Sequence, residues 1–361
     1  MKLLSLVRRA AVPLALIATA GVTAPALAQE KAILGFPAPP NVQFAFIFYG
    51  NKLGYYTDEN LKLEMVTVNG SGVLLPMVAS GQVHMGIAIP DLAITALAKG
   101  QPLPITFVMN WFRAQSFEFA VPQASPIKTI ADLKGKKLGV IAPTSGNLPL
   151  TRAMLATANL TAGKDVELLP IGLGAAAWRR LQNGEVDAMN MFVSEHGRME
   201  LSGIALRRLP IPEQYRTIFS NGIVAPNKLI AENPKLVGSF GRAIAKSWVA
   251  CKANVEGCVR AYWEAVPTAK PAAGKEAEQL TMDMKQAMFD RAAVDDYTGV
   301  PSKKIGTYTE SSWKTLIKVL SDEGQIPRAD LDLSKLYSGQ FVDAFNNFDP
   351  LVVERQARSA K

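Results

Sequence analysis

The loop with the clearest binding chemistry follows a predicted strand, Lys137–Ile141, and precedes a predicted helix. Its residues are Thr144, Ser145, Gly146 and Asn147. Unpaired backbone N–H groups at the start of a helix, aided by the helix dipole and by hydroxyl groups, can hold an anion. The alternative is that Ser145 or Asn147 only caps the helix, which is the commoner use of such residues. A second loop of this kind, Gly70-Ser71-Gly72, follows an earlier predicted strand.

Aromatic side chains accompany both loops. Between such loops they can form an apolar wall on which a flat ligand stacks. The candidates are Phe36, Phe44, Tyr49, Trp111 and Phe192. For each of them the alternative is burial in the core, where most aromatic residues lie. The loops and the aromatic residues together indicate binding chemistry.

The chain offers no recognisable set of catalytic residues. Its only histidines are His84 and His196, and it has no HExxH or CxxC motif, so we predict no zinc or redox-metal site. It also has no GxSxG motif, Walker loop or GxGxxG fingerprint. His196 follows Glu195 and has the chemistry of a general base, but a surface histidine beside a carboxylate is far commoner. We therefore predict no catalytic residues, no metal ligands and no cofactor.

The elements that must position the loops alternate between short apolar runs and amphipathic segments, the pattern of βα units with mostly parallel sheets. The predicted strands are Ile33–Phe36, Leu61–Val68, Met85–Ile89, Ile105–Trp111, Lys137–Ile141, Val166–Pro170 and Ala188–Phe192. After Ala225 the period becomes helical, and the predicted helices are Leu236–Ala253, Glu256–Glu264, Ala277–Met288 and Ser311–Glu323. This organisation predicts an α/β fold with helices on both faces of the sheets and a helical C-terminal layer.

Three local expectations accompany this pattern. Asp91 is expected to be the N-cap of a helix over Leu92–Lys99. The helix after Gly72 is expected to begin late, because Pro76 does not fit comfortably inside a helix. The basic tail, residues 355–361, is expected to be frayed and flexible.

A weak internal repeat suggests two lobes of similar construction. Val78–Met85 and Arg180–Ala188 share the order helix, Gly, any residue, Val, strand. Their glycines, Gly81 and Gly184, lie 103 residues apart. Chance similarity between two βα units is the alternative.

The N-terminal segment, residues 1–28, has the features of a secretory signal peptide. A basic stretch is followed by the apolar run Ala10–Val22, and Ala24–Ala28 ends in the small-x-small pattern of a cleavage site. We therefore predict cleavage before Gln29 and an exported protein. Cleavage removes three basic residues and lowers the net charge from +8 to +5. A surplus this small does not indicate nucleic-acid binding.

The two cysteines fit an oxidising compartment. Cys251 and Cys258 flank a predicted helix end and a tight turn, which can bring their Cα atoms within the disulfide range of about 7 Å. Two unpaired buried thiols are the alternative.

Four segments carry family motifs: Phe48–Tyr56, Asp132–Val140 (DLKGKKLGV), Gly184–Ala188 (GEVDA) and Phe341–Asp349. They resemble the periplasmic solute-binding proteins of ABC importers in the nitrate/sulfonate/taurine group, also called the NMT1/THI5-like family. One departure is His84, which stands where the first lobe of the family often has Asp. We interpret it as surface variation.

The resemblance implies a two-lobe, type II periplasmic-binding-protein fold with the ligand between the lobes. On this chain it implies a first lobe of residues 29–115 and 219–354, carrying the helical layer, and a second lobe of residues 116–218. The crossover segments are Arg113–Phe117 and Phe219–Gly222. The ligand-binding residues it implies are Pro39, Asn41, Phe44, Ser71, Gly72, Pro90, Asp91, Trp111, Thr144, Ser145, Gly146, Asn147, Asn190 and Met191.

The function implied is that of a monomeric, non-enzymatic periplasmic protein that captures a small organic anion, a sulfonate or carboxylate, and delivers it to an inner-membrane ABC permease. The alternative within the fold is a neutral or cationic heterocycle, such as a thiamine-pyrimidine precursor or a flavin. The aromatic candidates and the lack of an arginine in the loops keep that alternative open, while the anion is the prediction. Two rivals of other classes are a pyrimidine synthase, which needs a Cys-rich motif, and a sensor domain, which needs a transmembrane segment after the binding region. The sequence shows neither feature.

Overall fold

A computed structural model describes residues 28–216, 218–294 and 302–360, so the predicted signal peptide lies outside the described residues apart from Ala28. Within them, ten strands form two five-stranded sheets. The strands are β1 (Glu30–Phe36), β2 (Leu61–Thr67), β3 (Met85–Ala88), β4 (Ile105–Asn110), β5 (Phe117–Pro122), β6 (Lys137–Val140), β7 (Glu167–Pro170), β8 (Ala188–Phe192), β9 (Leu206–Arg208) and β10 (Gly222–Pro226). All seven predicted strands are present, whereas β5, β9 and β10 were not predicted.

The two sheets have the same construction. The first has the order β2-β1-β3-β10-β4, and the second has the order β7-β6-β8-β5-β9. In each sheet one strand, β10 or β5, runs antiparallel to both of its neighbours. In chain order, this strand is the first one after the chain crosses from the other sheet. We call the two sheets with their helices lobe 1 and lobe 2.

The internal repeat corresponds to this shared topology. Met85 of β3 pairs with Leu34 of β1, and Ala188 of β8 pairs with Leu138 of β6. The strands of lobe 1 lie within residues 29–115 and 219–354, and those of lobe 2 lie within 116–218. The lobe boundaries themselves remain predictions.

Fifteen α-helices connect and cover the strands in the described part of the chain. They are α1 (Ala45–Lys52), α2 (Tyr55–Asp58), α3 (Ser71–Ala79), α4 (Asp91–Ala98), α5 (Leu148–Ala156), α6 (Ala175–Gln182), α7 (Val193–Leu201), α8 (Glu213–Arg216), α9 (Asn227–Glu232), α10 (Pro234–Ala253), α11 (Val255–Ala265), α12 (Glu276–Val294), α13 (Glu310–Asp322), α14 (Val342–Phe345) and α15 (Pro350–Ser359). Short 3₁₀ helices occupy Val42–Phe44, Ile130–Leu133, Pro267–Ala269 and Leu333–Lys335.

The C-terminal helices form the predicted layer on lobe 1. Helix α10 packs closely on α1, since a Cβ atom on Gly50 would lie 1.6 Å from Ser247 Oγ. A disulfide joins Cys251 at the end of α10 to Cys258 in α11, with their Cα atoms 5.1 Å apart. The predicted bridge is therefore confirmed.

The layer also reaches lobe 2. Helix α12 packs against α7, and α13 packs against α5. Trp313 of α13 is fully buried and lies against Phe219 of the second crossover segment, with ring centroids 4.8 Å apart. The C-terminal helices therefore contact both lobes.

Two expected helix starts are wrong. Helix α3 begins at Ser71 and contains Pro76. Proline removes one backbone hydrogen bond, but the burial of Leu74 and Val78 on the same helix compensates for this loss. Asp91 is the first residue of α4 rather than its N-cap, and its carboxylate is bonded elsewhere.

The expected flexible tail is also wrong for residues 355–359, which belong to α15. Ala357 is buried, and its carbonyl accepts hydrogen bonds from Tyr49 Oη (3.0 Å) and Asn254 Nδ2 (2.9 Å). These contacts fix the last helix on lobe 1.

A candidate ligand-binding cavity between the lobes

A cavity of about 60 Å³ lies where the two sheets face each other. Its lining from lobe 1 is Pro37, Ala38, Pro39, Asn41, Gln43, Phe44, Gly70, Ser71, Ile89 and Asn221, and from lobe 2 Ser116, Phe117, Ile141, Ser145, Gly146, Asn147 and Phe192. Most of these residues follow the carboxyl ends of β1, β2, β3, β6 and β8. Ligands of open α/β sheets bind at such ends.

Half of the predicted site residues line this cavity. They are Pro39, Asn41, Phe44, Ser71, Ser145, Gly146 and Asn147. The residues outside the lining are Gly72, Pro90, Asp91, Trp111, Thr144, Asn190 and Met191. The structure thus brings together the two loops that the sequence singled out.

Two of the outlying residues belong to the core. Trp111 is buried, stacks on Phe46 with ring centroids 4.4 Å apart, and meets Trp248 edge to face. Met191 is fully buried in lobe 2, while Phe192, the next residue of β8, lines the cavity. Successive residues of a strand point to opposite faces, so the two neighbours separate.

The lining residues missed by the sequence analysis include the crossover segments. Ser116, Phe117 and Asn221 lie where the chain passes between the lobes. These segments were predicted as crossovers, and a cleft between lobes must be bordered by them. The crossover segments implied by the family resemblance could therefore have identified these lining residues.

The cavity is aromatic and uncharged. Among the described residues that line it, none carries a charged side chain. Phe44 approaches from lobe 1, where it packs edge to face on Phe36 at 5.1 Å. Phe117 and Phe192 approach from lobe 2, with ring centroids 6.0 Å apart and planes at 85°. Such a wall suits a flat apolar ring.

Asn147 is the polar residue whose orientation is most strongly fixed. Its Nδ2 donates to Asn190 Oδ1 (2.8 Å) and to Thr151 Oγ1 (3.0 Å). Asn190 is oriented in turn, because its own Nδ2 donates to the backbone oxygen of Glu118 at 3.3 Å. The remaining acceptor, Asn147 Oδ1, is buried and has no hydrogen-bond partner among the described residues. Asn190, a predicted site residue, thus orients a lining residue without lining the cavity itself.

Two serines add hydroxyl donors. Ser145 Oγ accepts from Ala142 N (3.0 Å), and Ser71 Oγ accepts from Ile89 N (3.4 Å). Each hydroxyl hydrogen remains for another acceptor. The residues bordering the cavity therefore offer hydroxyl donors and one fixed acceptor, the buried Oδ1 of Asn147.

The lobes touch directly around the cavity. Ser194 Oγ donates to Gln43 Oε1 (3.0 Å), and Thr144 Oγ1 donates to the backbone oxygen of Asn69 (2.5 Å). The Thr144 carbonyl accepts from Gly72 N at 3.0 Å. This describes a closed conformation, in which Gly72 and Thr144 join the lobes rather than border the cavity.

His84, His196 and Glu195 lie outside the cavity lining. His196 is buried, not at the surface as expected, and its Nδ1 lies 3.0 Å from Glu118 Oε1 rather than against Glu195. Glu195 Oε1 accepts from Gly174 N (2.6 Å) and Trp178 Nε1 (2.7 Å). Within the described residues, no cluster of three His, Cys, Asp or Glu residues is arranged to hold a metal ion. In the same part of the chain, no helix has the length and hydropathy of a membrane span.

A solved structure of similar fold shows the class of protein to which this fold belongs. The alkanesulfonate-binding protein SsuA of Xanthomonas axonopodis pv. citri, solved with bound MOPS, superposes with a TM-score of 0.63 at 15% identity, over 85% of this chain and 98% of that one. The fold is therefore that of the periplasmic binding proteins.

The family follows from the sequence match. The NMT1/THI5 like family model matches residues 41–257, and the chain belongs to this family. Riboflavin-binding protein RibY of Chloroflexus aurantiacus is 25% identical over 243 residues, 67% of this chain and 68% of that protein. A putative thiamine biosynthesis protein of Haemophilus influenzae is 27% identical over 214 residues, 58% of this chain and 63% of that protein.

Proposed function

We propose that the chain is the exported substrate-binding component of an ABC importer and that its ligand is an uncharged nitrogen heterocycle with at least one N–H donor. The observation that carries the ligand class is the fixed, unpartnered acceptor Oδ1 of Asn147, a residue that borders a cavity lined by aromatic and uncharged residues. The heterocycle was the alternative within the fold that the sequence analysis left open.

Hydrogen-bond complementarity supports this ligand class. The oxygens of a sulfonate or an ionised carboxylate only accept hydrogen bonds. Such a group leaves Asn147 Oδ1 without a donor, and an unsatisfied buried acceptor costs about 1–3 kcal/mol. A ring N–H or an exocyclic amine satisfies it, while ring nitrogens or carbonyl oxygens accept from Ser71 and Ser145.

The names of two relatives agree with this class. One relative is named for riboflavin binding and another for thiamine biosynthesis. A flavin ring and an aminopyrimidine are both flat nitrogen heterocycles with N–H donors. In the closed state the cavity is small, so the ligand enters an open form and stabilises the closed one by bridging the lobes.

The organic anion is the second candidate, and one observation favours it. Helices α3, α5 and α7 begin at residues next to the cavity lining, and helix N-termini attract negative charge. In the closed state, however, two of these N-termini are already capped. Gly72 N donates to the Thr144 carbonyl, and Leu150 N donates to Asp91 Oδ2.

Isothermal titration calorimetry distinguishes the candidates. We expect measurable binding of riboflavin or of 4-amino-5-hydroxymethyl-2-methylpyrimidine, and none of methanesulfonate or benzenesulfonate, which have no N–H donor, at the same concentrations. Binding of the sulfonates alone contradicts the heterocycle. Binding of none of the four compounds contradicts both ligand classes tested.

Export and transport are separate parts of the proposal. The first residue of the mature protein is expected to be Gln29, which N-terminal sequencing of the periplasmic fraction checks. An intact N-terminus there contradicts the predicted cleavage. The permease partner is checked by uptake of the labelled ligand in cells with and without this chain.

A further inference from the structure

We infer that Asp91 is a positioning residue that latches the two lobes in the closed state, and that closing takes up a proton at its carboxyl group. The inference rests on the proposed function only in assuming that the lobes open and close. It gives Asp91 a role other than the ligand contact predicted from the sequence.

The latch is a hydrogen bond across the cleft. Asp91 is the first residue of α4 in lobe 1 and is 1% exposed. Its Oδ2 accepts from the backbone N of Leu150, the third residue of α5 in lobe 2, at 3.3 Å. The first N–H groups of a helix have no partner within that helix. The Asp91 carboxyl group therefore caps a helix of the opposite lobe through Oδ2.

The capping is reciprocal. Gly72 is the second residue of α3 in lobe 1, and its N–H donates to the carbonyl of Thr144 in lobe 2. Each lobe thus supplies an acceptor to a helix N-terminus of the other lobe. Both bonds are lost when the lobes separate, so both favour closure.

Of these two hydrogen bonds between the lobes, only the one to Asp91 involves a titratable side chain. Helix α3, which packs against α4, contains no titratable residue, and α5 contains only Arg152, which is exposed. Asp91 is the only charged residue within α4, and Lys99 directly follows the last turn of that helix. No cation therefore compensates for the buried carboxylate, and burial raises the pKa of Asp91 from 3.8 to about 7.

The sign of the pH dependence follows from this arrangement. In an open form the carboxyl group is solvated and has a pKa near its ordinary 3.8, so closing raises the pKa and takes up a proton. The closing constant then falls by up to about tenfold per pH unit between about pH 4 and 7, and it is constant above that range. Acidification favours the closed state.

Single-molecule fluorescence energy transfer counts open and closed molecules without any ligand. Dyes are attached at Lys62→Cys in lobe 1 and Lys164→Cys in lobe 2, both exposed positions, while the native cysteines stay in their disulfide. We expect the closing constant to fall by up to about 100-fold from pH 5 to pH 7 and to change little from pH 7 to pH 8.

Asp91→Asn is the decisive variant. The amide oxygen still accepts from Leu150 N, but the side chain no longer titrates, so we expect most of the fall in the closing constant between pH 5 and pH 7 to be lost. Asp283 of α12, whose pKa burial raises and Arg198 of lobe 2 lowers, keeps its own smaller pH dependence in both proteins. Asp187→Asn is the matched control, because Asp187 also accepts a backbone N–H, that of Lys137 at 2.8 Å, but within lobe 2. It is expected to keep the wild-type profile.

A flat wild-type profile, or an Asp91→Asn variant that keeps the wild-type profile, overturns the inference. Because no ligand is present, either result leaves the proposed ligand class to be judged by calorimetry alone.

Discussion

His84 in lobe 1 and Asp187 in lobe 2 make the same hydrogen bond, each one residue before a matching strand. His84 Nδ1 accepts from Ile33 N at 3.3 Å, and Asp187 Oδ2 accepts from Lys137 N at 2.8 Å. Each bond joins the residue before β3 or β8 to the neighbouring parallel strand. His84 therefore replaces the aspartate of the family pattern in function, and the interpretation as surface variation is wrong.

This equivalence predicts the effect of substitutions at position 84. His84→Leu removes the acceptor and is expected to lower the free energy of unfolding by about 1 kcal/mol, whereas His84→Asp is expected to retain stability near pH 7. Urea unfolding measures both. An equal loss in the two variants contradicts the shared role.

The same position predicts a pH effect. Burial lowers the pKa of His84 from its ordinary 6.5, and only the neutral ring accepts at Nδ1. The stabilising contribution is therefore complete above pH 6.5 and is lost as the pH falls through the folded-state pKa. His84→Asp is expected to lack this particular loss between pH 7 and pH 5, as unfolding at both pH values shows.

Asn147→Ala tests the fixed acceptor of the cavity. We expect the affinity for the heterocycle to fall by about 5- to 150-fold, corresponding to 1–3 kcal/mol, because the ligand N–H loses its partner. Asn183→Ala, at an exposed position of the same lobe, is the control and is expected to leave affinity unchanged. Calorimetry with the better-binding heterocycle gives both values. Equal affinities in the two variants would remove Asn147 from the site.

Gly146→Ala tests the closed conformation. A Cβ atom there would lie 2.7 Å from Ser71 Oγ and 3.1 Å from Ile89 Cβ, across the cleft. Because this contact exists only between the lobes, we expect affinity to fall by about 5- to 150-fold with little change in the free energy of unfolding. Gly339→Ala is the control, since no atom lies within 4 Å of its added Cβ. Unchanged affinity in Gly146→Ala would mean that ligand binding does not need this closure.

The disulfide predicts a loss of stability on reduction. Cys251 and Cys258 close a short loop between α10 and α11, and the chain-entropy model gives a contribution of about 2.5 kcal/mol. Urea unfolding of the Cys251→Ala/Cys258→Ala double variant measures it. Wild-type stability that does not change on adding dithiothreitol, with both thiols shown to be free, contradicts this estimate.

The sequence predicted the parallel βα units because their strands are apolar runs bounded by turn residues. It missed β5 and β10, which begin at the crossovers and end in Pro122 and Pro226, so that each resembles a loop. For the site, it identified loops that line the cavity, but only half of the predicted site residues line it. Whether Trp111 faces the cleft or the core depends on packing with Trp248, which is 137 residues away in sequence.

Asp91 shows a second limit of the sequence. An aspartate at the start of a helix is expected to cap that helix, and nothing local distinguishes this from capping a helix of another lobe. Its partner, Leu150, becomes a neighbour only when the lobes meet. Contacts across a cleft depend on the closed arrangement, which local patterns do not encode.

The position of β10 gives the protein an order of assembly that differs from its order of synthesis. All five strands of lobe 2 lie within residues 117–208, whereas the sheet of lobe 1 needs β10 between β3 and β4. A nascent chain that ends before Gly222 can complete lobe 2 but leaves the facing edges of β3 and β4 unpaired. Unpaired strand edges are sites of aggregation. Holding the chain unfolded until residue 226 has emerged therefore protects strands β1–β4 of lobe 1, which are synthesised before β10.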